Sequence, residues 1–440
     1  MLKTKFSLYF RLYILQKMNL SQRDKKYNWH PYTQHKTAPD FPAIVKGKDA
    51  LLWDENGKEY IDAIASWWVN PYGHSNQVIA DAIYNQLTTL EHVLFGGFTH
   101  NKAVELSEKL MEILPSNQKK IFYSDNGSTA VEVAIKAALQ YNYNTKIKKT
   151  KIIAFDDAFH GDTFGAMASS GITFFTEAFK GSLLEVTRIN VPTPGNETQT
   201  LKQLKELVQT NEYAAFVFEP LCQGAAGMVM YSAAILDELI AMCKQNNVFT
   251  IADEVMTGFG KTGKTFASDF LQNKPDMMCL SKALTGGTIP MALTTFTQEI
   301  FDGFYNDDTN MAFFHGHTFT ANPTGCAAAL ASIDLLQTSE MQDNIVRVNA
   351  SHLAFEQTIK HHPKVKTTRV LGVIFALEIK TETQESYYGT LRNKLYNFFI
   401  ENGIILRPVG NTVYILPPYI ITNKQLQKVY ATIENVLEIV

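Results

Sequence analysis

The sequence predicts an α/β fold, with a mainly parallel sheet sandwiched by helices in a large domain and a smaller α+β domain built from both chain ends. From about Asn76 onward, short apolar runs alternate with stretches of helical periodicity, as chained βαβ units require. At 440 residues the chain is too long for one compact core and suggests two or three domains. Beyond Gly325 the alternation gives way to a different composition, and no repeat or low-complexity linker intervenes.

In chain order, residues 1–17 read as a ragged extension before a start at Met18: Arg11 breaks the apolar run and no small-residue cleavage site follows. Residues 18–74 are expected to open the small domain, with short strands near Ala43–Lys46, Ala50–Trp53 and Lys58–Asp62. All four tryptophans fall in this segment; Trp29 and Trp53 read as a hydrophobic mini-core. Trp67 and Trp68, if in a strand, would face opposite ways, one to the core and one to a pocket. Residues 75–325 are expected to form the large domain. Its predicted strands are Ile121–Tyr123, Ile152–Phe155, Ala214–Phe218, Val248–Ala252 and Met277–Leu280, with helices at Asn101–Leu114, Thr129–Gln140 and Ile235–Asn246. Residues 326–440 complete the small domain: an alanine-rich helix Cys326–Gln337, strands at Gly372–Ile379, Ile404–Arg407 and Val413–Leu416, a helix near Thr390–Asn402 and a closing helix from Asn423.

Composition narrows the function classes. With 45% hydrophobic and 19% charged residues and a formal net charge of -3, no basic excess exists to hold a nucleic-acid backbone. No run of ~18 apolar residues offers a membrane span. Four scattered cysteines fit neither a zinc knuckle nor a disulfide framework, which favours a reducing cytoplasm.

Chemistry-bearing residues cluster after the predicted strands. Ser124-Asp125-Asn126-Gly127-Ser128-Thr129 leads from a strand into a helix, as a phosphate cradle or as an ordinary N-cap. Phe159 follows the next strand, free to stack on a planar ring or to fill the sheet end. Asp253 and Glu254 close an apolar strand, suited to a ring-nitrogen proton or to capping. Gly258–Thr265 matches a P-loop pattern, but five residues separate it from the strand and no substantial helix follows, so nucleotide hydrolysis remains a minor alternative. Lys282 stands between an apolar run and two glycines. Burial among apolar groups near another cation would free its amine to attack a carbonyl as a Schiff base; a solvated loop lysine is the plain alternative. Taken together and in this order, cradle, stacking ring, acid and lysine describe a pyridoxal 5'-phosphate site.

From Tyr27 onward the chain resembles the class III (fold type I) aminotransferases, on Phe249–Gly263, Leu280–Gly287 and Phe314-His315-Gly316-His317-Thr318-Phe319. Within that class it is most similar to the biotin-pathway branch, on Trp29-His30-Pro31-Tyr32-Thr33, the Trp67-Trp68 pair, Phe95–His100, Lys282–Thr288, Leu406-Arg407-Pro408 and Leu416–Ile420. The resemblance implies a pyridoxal 5'-phosphate-dependent fold type I transferase, with Lys282 as the catalytic lysine and Asp253 on the ring nitrogen. Asn126, Gly127 and Ser128 would hold the phosphate, and His317 and Thr318 would reach it from the partner of a homodimer with shared active sites. Tyr32, Trp67, Phe159, Gly316 and Arg407 fall on substrate-contacting positions, with Trp68 beside Trp67 in the apolar wall. The implied substrates are 8-amino-7-oxononanoate and, as amino donor, S-adenosylmethionine. Three departures bear on the donor: Phe159 where tyrosine is common, Lys261 where arginine is common, and His317 where proline is frequent. Lysine as donor, or an ω-amino acid or diamine transaminase of the same class, is the alternative.

Overall fold

The computed structural model describes residues 18–381 and 389–440; the expected extension at 1–17 lies outside the described residues. The chain first lays down β1 (Ile44–Lys48), β2 (Leu51–Asp54) and β3 (Glu59–Asp62). Then follow β4 (Gln118–Ser124), β5 (Lys151–Phe155), β6 (Val186–Ile189), β7 (Tyr213–Phe218), the short hairpin β8 (Cys222–Gln223) and β9 (Val229–Met230), β10 (Phe249–Asp253), β11 (Met277–Leu280) and β12 (Ala292–Thr297). Seven of these form one sheet in the order β4-β12-β11-β10-β7-β5-β6. Only β12 runs antiparallel in it, wedged between β11 and β4.

Strands β7, β10 and β11 are buried along their whole length, which is why they read as unbroken apolar runs: helices cover both faces. One covering helix, Gly127–Asn144, buries Ala130, Val131, Val133, Ala134, Ile135, Ala137 and Ala138. Its small side chains allow close approach, and Thr294 of β12 bonds the Ala130 carbonyl at 2.8 Å. β6 and β12 escape the apolar-run rule. The Val-Thr-Arg-Ile of β6 forms an edge, while β12 buries Thr294 and Thr295 by hydrogen-bonding them, the latter to Gln118.

The remaining strands are β13 (Val365–Leu371), β14 (Ile374–Ile379), β15 (Ile404–Ile405) and β16 (Thr412–Ile415). β13, β14 and β16 form an antiparallel sheet, while β15 pairs in parallel with β3, Ile404 opposite Ile61 and Ile405 opposite Asp62. A 21-residue helix, Ser339–Ile359, was not anticipated; it and the closing helix Asn423–Ile439 are joined by a hydrogen bond from Tyr430 to buried His352. A continuous apolar core includes Ile61, Trp68, Phe216, Leu280, Phe375 and Tyr419.

Two expectations are corrected. Trp67 and Trp68 lie not in a strand but in a left-handed turn, with φ of 45, 46, 73 and 70° at Ala65, Ser66, Trp67 and Trp68. Such a conformation costs about 1–2 kcal/mol per non-glycine residue, so the surroundings must enforce it. Trp29 is 90% exposed rather than part of a mini-core. Gly258–Thr265, whose P-loop match was only a minor alternative, is a run of tight turns. Buried Glu254 folds it back by accepting bonds from the Thr257 hydroxyl (2.6 Å) and the N–H groups of Ala267 (3.1 Å) and Ser268 (2.6 Å), and only a 3₁₀ turn, Ala267–Phe270, follows.

Candidate active site

The ends of β4, β5, β7, β10 and β11 converge on a cavity of about 460 Å³, where open α/β sheets place their ligands. Its lining includes Asn126, Phe159, His160, Glu219, Asp253 and Lys282. Lys282 opens a 3₁₀ turn directly after β11 with φ of 51°, and its Nζ stands 4.5 Å from the centre of the Trp68 ring. Burial lowers its pKa to about 8, against the opposing pull of the Asp253 and Glu219 charges. About a tenth of the amine is therefore uncharged at pH 7.

Asp253 is held on both oxygens. Oδ2 lies 2.7 Å from His160 Nδ1, and Oδ1 accepts the N–H of Val255 at 3.1 Å. The other ring nitrogen of His160 is buried without a partner among the described residues. Glu219 accepts the N–H groups of Phe159 (3.0 Å) and Gly224 (2.9 Å), joining the wall that carries the stacking ring to the β8–β9 hairpin. Burial pushes its pKa up to about 7, with His160 opposing and Asp253 reinforcing the rise.

At the sheet's far side Asn126 caps the helix Gly127–Asn144 in a reciprocal box with Thr129. Those bonds involve neither the Gly127 nor the Ser128 N–H, so both remain at the positive end of the helix beside the cavity. Gly127 must lack a side chain, because a Cβ there would come within 2.7 Å of Val255 Cγ1. The Ser128 hydroxyl accepts the Thr163 N–H at 3.0 Å and pairs with the Thr163 hydroxyl at 2.7 Å.

A second cavity of about 690 Å³ shares Lys282, Trp68 and Phe159 with the first and extends to Tyr32, Trp67 and Arg407. The Tyr32 ring lies 5.8 Å from Trp67 and 5.4 Å from Phe175, and its hydroxyl donates to Asp162. The Arg407 guanidinium stacks 4.2 Å from the centre of the Trp67 ring. The structure thus brings together Tyr32, Trp67, Trp68, Asn126, Gly127, Ser128, Phe159, Asp253, Lys282 and Arg407. Gly316, His317 and Thr318 stand apart. Gly316 and Thr318 are exposed, and His317 reaches Asp125 (3.5 Å) and His315 (3.0 Å). Sequence reasoning missed His160, Glu219, Val255, Asp162 and Phe175. Position offered a hint for His160 and Asp162, which flank the stacking ring, and for Val255, two residues past Asp253; Glu219 and Phe175 gave none.

Comparison with known proteins agrees with this geometry. Residues 32–437 match the family described as aminotransferase class-III. The adenosylmethionine-8-amino-7-oxononanoate aminotransferase of Synechococcus elongatus is 42% identical, covering 93% of this chain and 98% of its own. The Helicobacter pylori protein of the same name is 34% identical over 96% and 98%. Among solved structures, the Methanocaldococcus jannaschii protein of that name superposes with a TM-score of 0.89 at 33% identity, covering 94% of this chain and 98% of that one. An omega transaminase from Pseudomonas jessenii in complex with PMP gives 0.90 at 26% identity, over 96% and 98%. With a buried amine, a held carboxylate and an open helix N-terminus meeting at the ends of one sheet, and with relatives matched over nearly its whole length, the chain belongs to the class III aminotransferase family.

Proposed function

We propose that the protein transfers an amino group from S-adenosylmethionine to 8-amino-7-oxononanoate, giving 7,8-diaminononanoate in biotin synthesis, with pyridoxal 5'-phosphate as cofactor. The observation that carries this reading is a buried, partly neutral Lys282 amine at one end of a continuous cavity whose other end holds Arg407. It is supported by the names of the relatives at 34–42% identity.

The residues present fit the cofactor. The Gly127 cradle admits no side chain, the Gly127 and Ser128 N–H groups suit a phosphate, and Asp253 is fixed to accept a hydrogen bond from a protonated ring nitrogen. When bound, the cofactor supplies an electron sink for the carbon bearing the amino group. Lys282 supplies the amine that carries the cofactor and moves the proton at that carbon. Asp253, braced by His160, keeps the ring nitrogen protonated, and Phe159 and Val255 provide apolar surface for the ring. Tyr32, Trp67 and Trp68 exclude water from an aliphatic chain, and Arg407 offers a planar fork to a carboxylate. We further propose a cytoplasmic homodimer, in which the Gly316-His317-Thr318 segment of one subunit completes the phosphate site of the other. In this reading residues 75–325 form the cofactor-holding unit, with 18–74 and 326–440 as its smaller companion. Among the described residues no helix is long and apolar enough to cross a membrane.

The test is single-turnover loss of the bound-cofactor absorbance on mixing with S-adenosylmethionine or with lysine, with Lys282→Ala as control. A response to S-adenosylmethionine alone is expected. A response to lysine alone would replace the donor; response to neither would remove the biotin assignment; turnover by Lys282→Ala would remove the mechanism.

A further inference from the structure

The left-handed turn at Ala65–Trp68 needs something to hold it, and the structure supplies Asp62. This residue ends β3 and is fully buried. Its Oδ1 accepts the N–H groups of Ile64 (3.3 Å) and Ser66 (3.1 Å), and its Oδ2 accepts the Ser66 hydroxyl at 2.7 Å. The same Oδ2 lies 2.9 Å from His74 Nε2, and His74 Nδ1 takes the Asn70 amide at 3.0 Å. That pattern defines the ring: with Nδ1 accepting, Nε2 carries the proton and donates it to Asp62. Backbone bonds from Trp68 to Ile64 (2.8 Å) and from Val69 to Ala65 (2.9 Å) close the turn.

What the turn presents is functional on both sides. Trp68 is buried with the Lys282 amine 4.5 Å from its ring centre, and Trp67, 37% exposed, carries Arg407 at 4.2 Å. Arg407 follows the neighbouring strand: it lies two residues past Ile405, the register partner of Asp62. Both ends of the cavity are therefore referenced to one pair of strand ends. We propose that Asp62 is a positioning residue for amino transfer: its carboxylate holds the strained turn that sets Trp68 against the amine and Trp67 beneath the guanidinium. It acts on both ends of the cavity through the two tryptophans. The part concerning Arg407 rests on the reading of that residue as the carboxylate partner of the substrate; the part concerning Lys282 does not.

The experiment uses three variants of the full chain: Asp62→Ala, the milder Ser66→Ala, and Asp62→Ala combined with Ser66→Gly, which tolerates the left-handed conformation. Cofactor-free protein is reductively methylated with formaldehyde and borohydride, and modification at position 282 is followed by peptide mass against pH. The charged groups acting on this amine, Asp253, Glu219 and Lys261, are unchanged in all three. Loosening Trp68 admits water, so the midpoint in Asp62→Ala should rise by about half a pH unit, roughly a twofold loss of free amine at pH 8. Ser66→Ala should move it less, and the glycine variant should move it back. In the loaded enzyme, KM for the keto acid should rise about tenfold relative to a ketone of the same chain lacking the carboxylate. A lowered melting temperature with an unmoved midpoint and an unchanged KM ratio would make Asp62 merely structural and overturn the proposal. If Asp62→Ala does not fold, Ser66→Ala decides by the same two readouts. A moved midpoint in a protein whose parent accepts no keto acid would uphold the Lys282 half and overturn the substrate reading.

Discussion

Replacing Lys261 with methionine should stabilise this protein at neutral pH. The side chain is 1% exposed, and among the described residues its ammonium has one hydrogen bond, to the Gly258 carbonyl at 3.2 Å. Burial, aided by the nearby Lys282 charge and opposed by Glu254, pulls its pKa from 10.5 down to about 7. At about 1.4 kcal/mol per pH unit, holding the charged form inside costs on the order of 5 kcal/mol. Methionine keeps most of the apolar stem and removes the charge, while losing a hydrogen bond worth about 1 kcal/mol. After relaxation around the new side chain, a gain of about 1–3 kcal/mol is expected at pH 7. The sign follows from proton counting. Between pH 7 and 10.5 the unfolded chain keeps the proton that the folded chain has shed, so wild-type stability climbs with pH and the advantage of Lys261→Met shrinks. Urea unfolding at pH 7 and pH 9.5 measures both quantities. A variant less stable at pH 7, or an advantage unchanged at pH 9.5, would refute the reasoning. The backbone carbonyl of residue 261, which accepts the Val373 N–H at 2.9 Å, is untouched by the change.

Arg407→Met should raise KM for a carboxylate-bearing acceptor by about 10- to 100-fold, the loss of a charge-assisted pair worth about 1.5–3 kcal/mol, with kcat changing far less; steady-state kinetics will show the split. Gly127→Ala places a methyl group within 2.7 Å of Val255 Cγ1 and should weaken cofactor retention about tenfold, read from the rate of absorbance loss on dialysis. Buried His352 accepts the Tyr430 hydroxyl and donates to the Val373 carbonyl at 3.2 Å, and burial lowers its pKa from 6.5 to about 4. Its neutral form is favoured in the fold, so its stabilisation is intact above pH 6.5 and is lost as pH falls through 4, about 3 kcal/mol in all. In His352→Gln, unfolding free energy should fall less between those two pH values than in the wild type.

Lys282, Asp253, Phe159 and the Asn126-Gly127-Ser128 cradle were legible because each is a chemistry-bearing residue at the end of an apolar run, and a parallel sheet gathers such ends on one edge. The sheet itself was legible for the same reason, except where β6 and β12 use threonine and arginine. The pairing of His160 with Asp253 was not, since 93 residues separate them and only the strand order seats β5 and β10 on either side of β7. Nor was the burial of Lys261: a lysine among glycines reads as exposed, and only the folding back of its loop by Glu254 encloses it. Two adjacent tryptophans in an apolar stretch suggest a strand, and local propensity holds nothing against that reading. The left-handed turn is held by the carboxylate of Asp62, four residues before Ser66, which His74 orients in turn; only folding buries that carboxylate and commits it to the turn. The amino-acid order by itself determined which strand ends carry reactive groups, because burial and hydrogen-bonding capacity are properties of each residue and its near neighbours. Which of those groups touch only the tertiary structure decided, because contacts such as His160 with Asp253 join segments the chain leaves far apart, and the strained turn depends on a carboxylate that only folding buries.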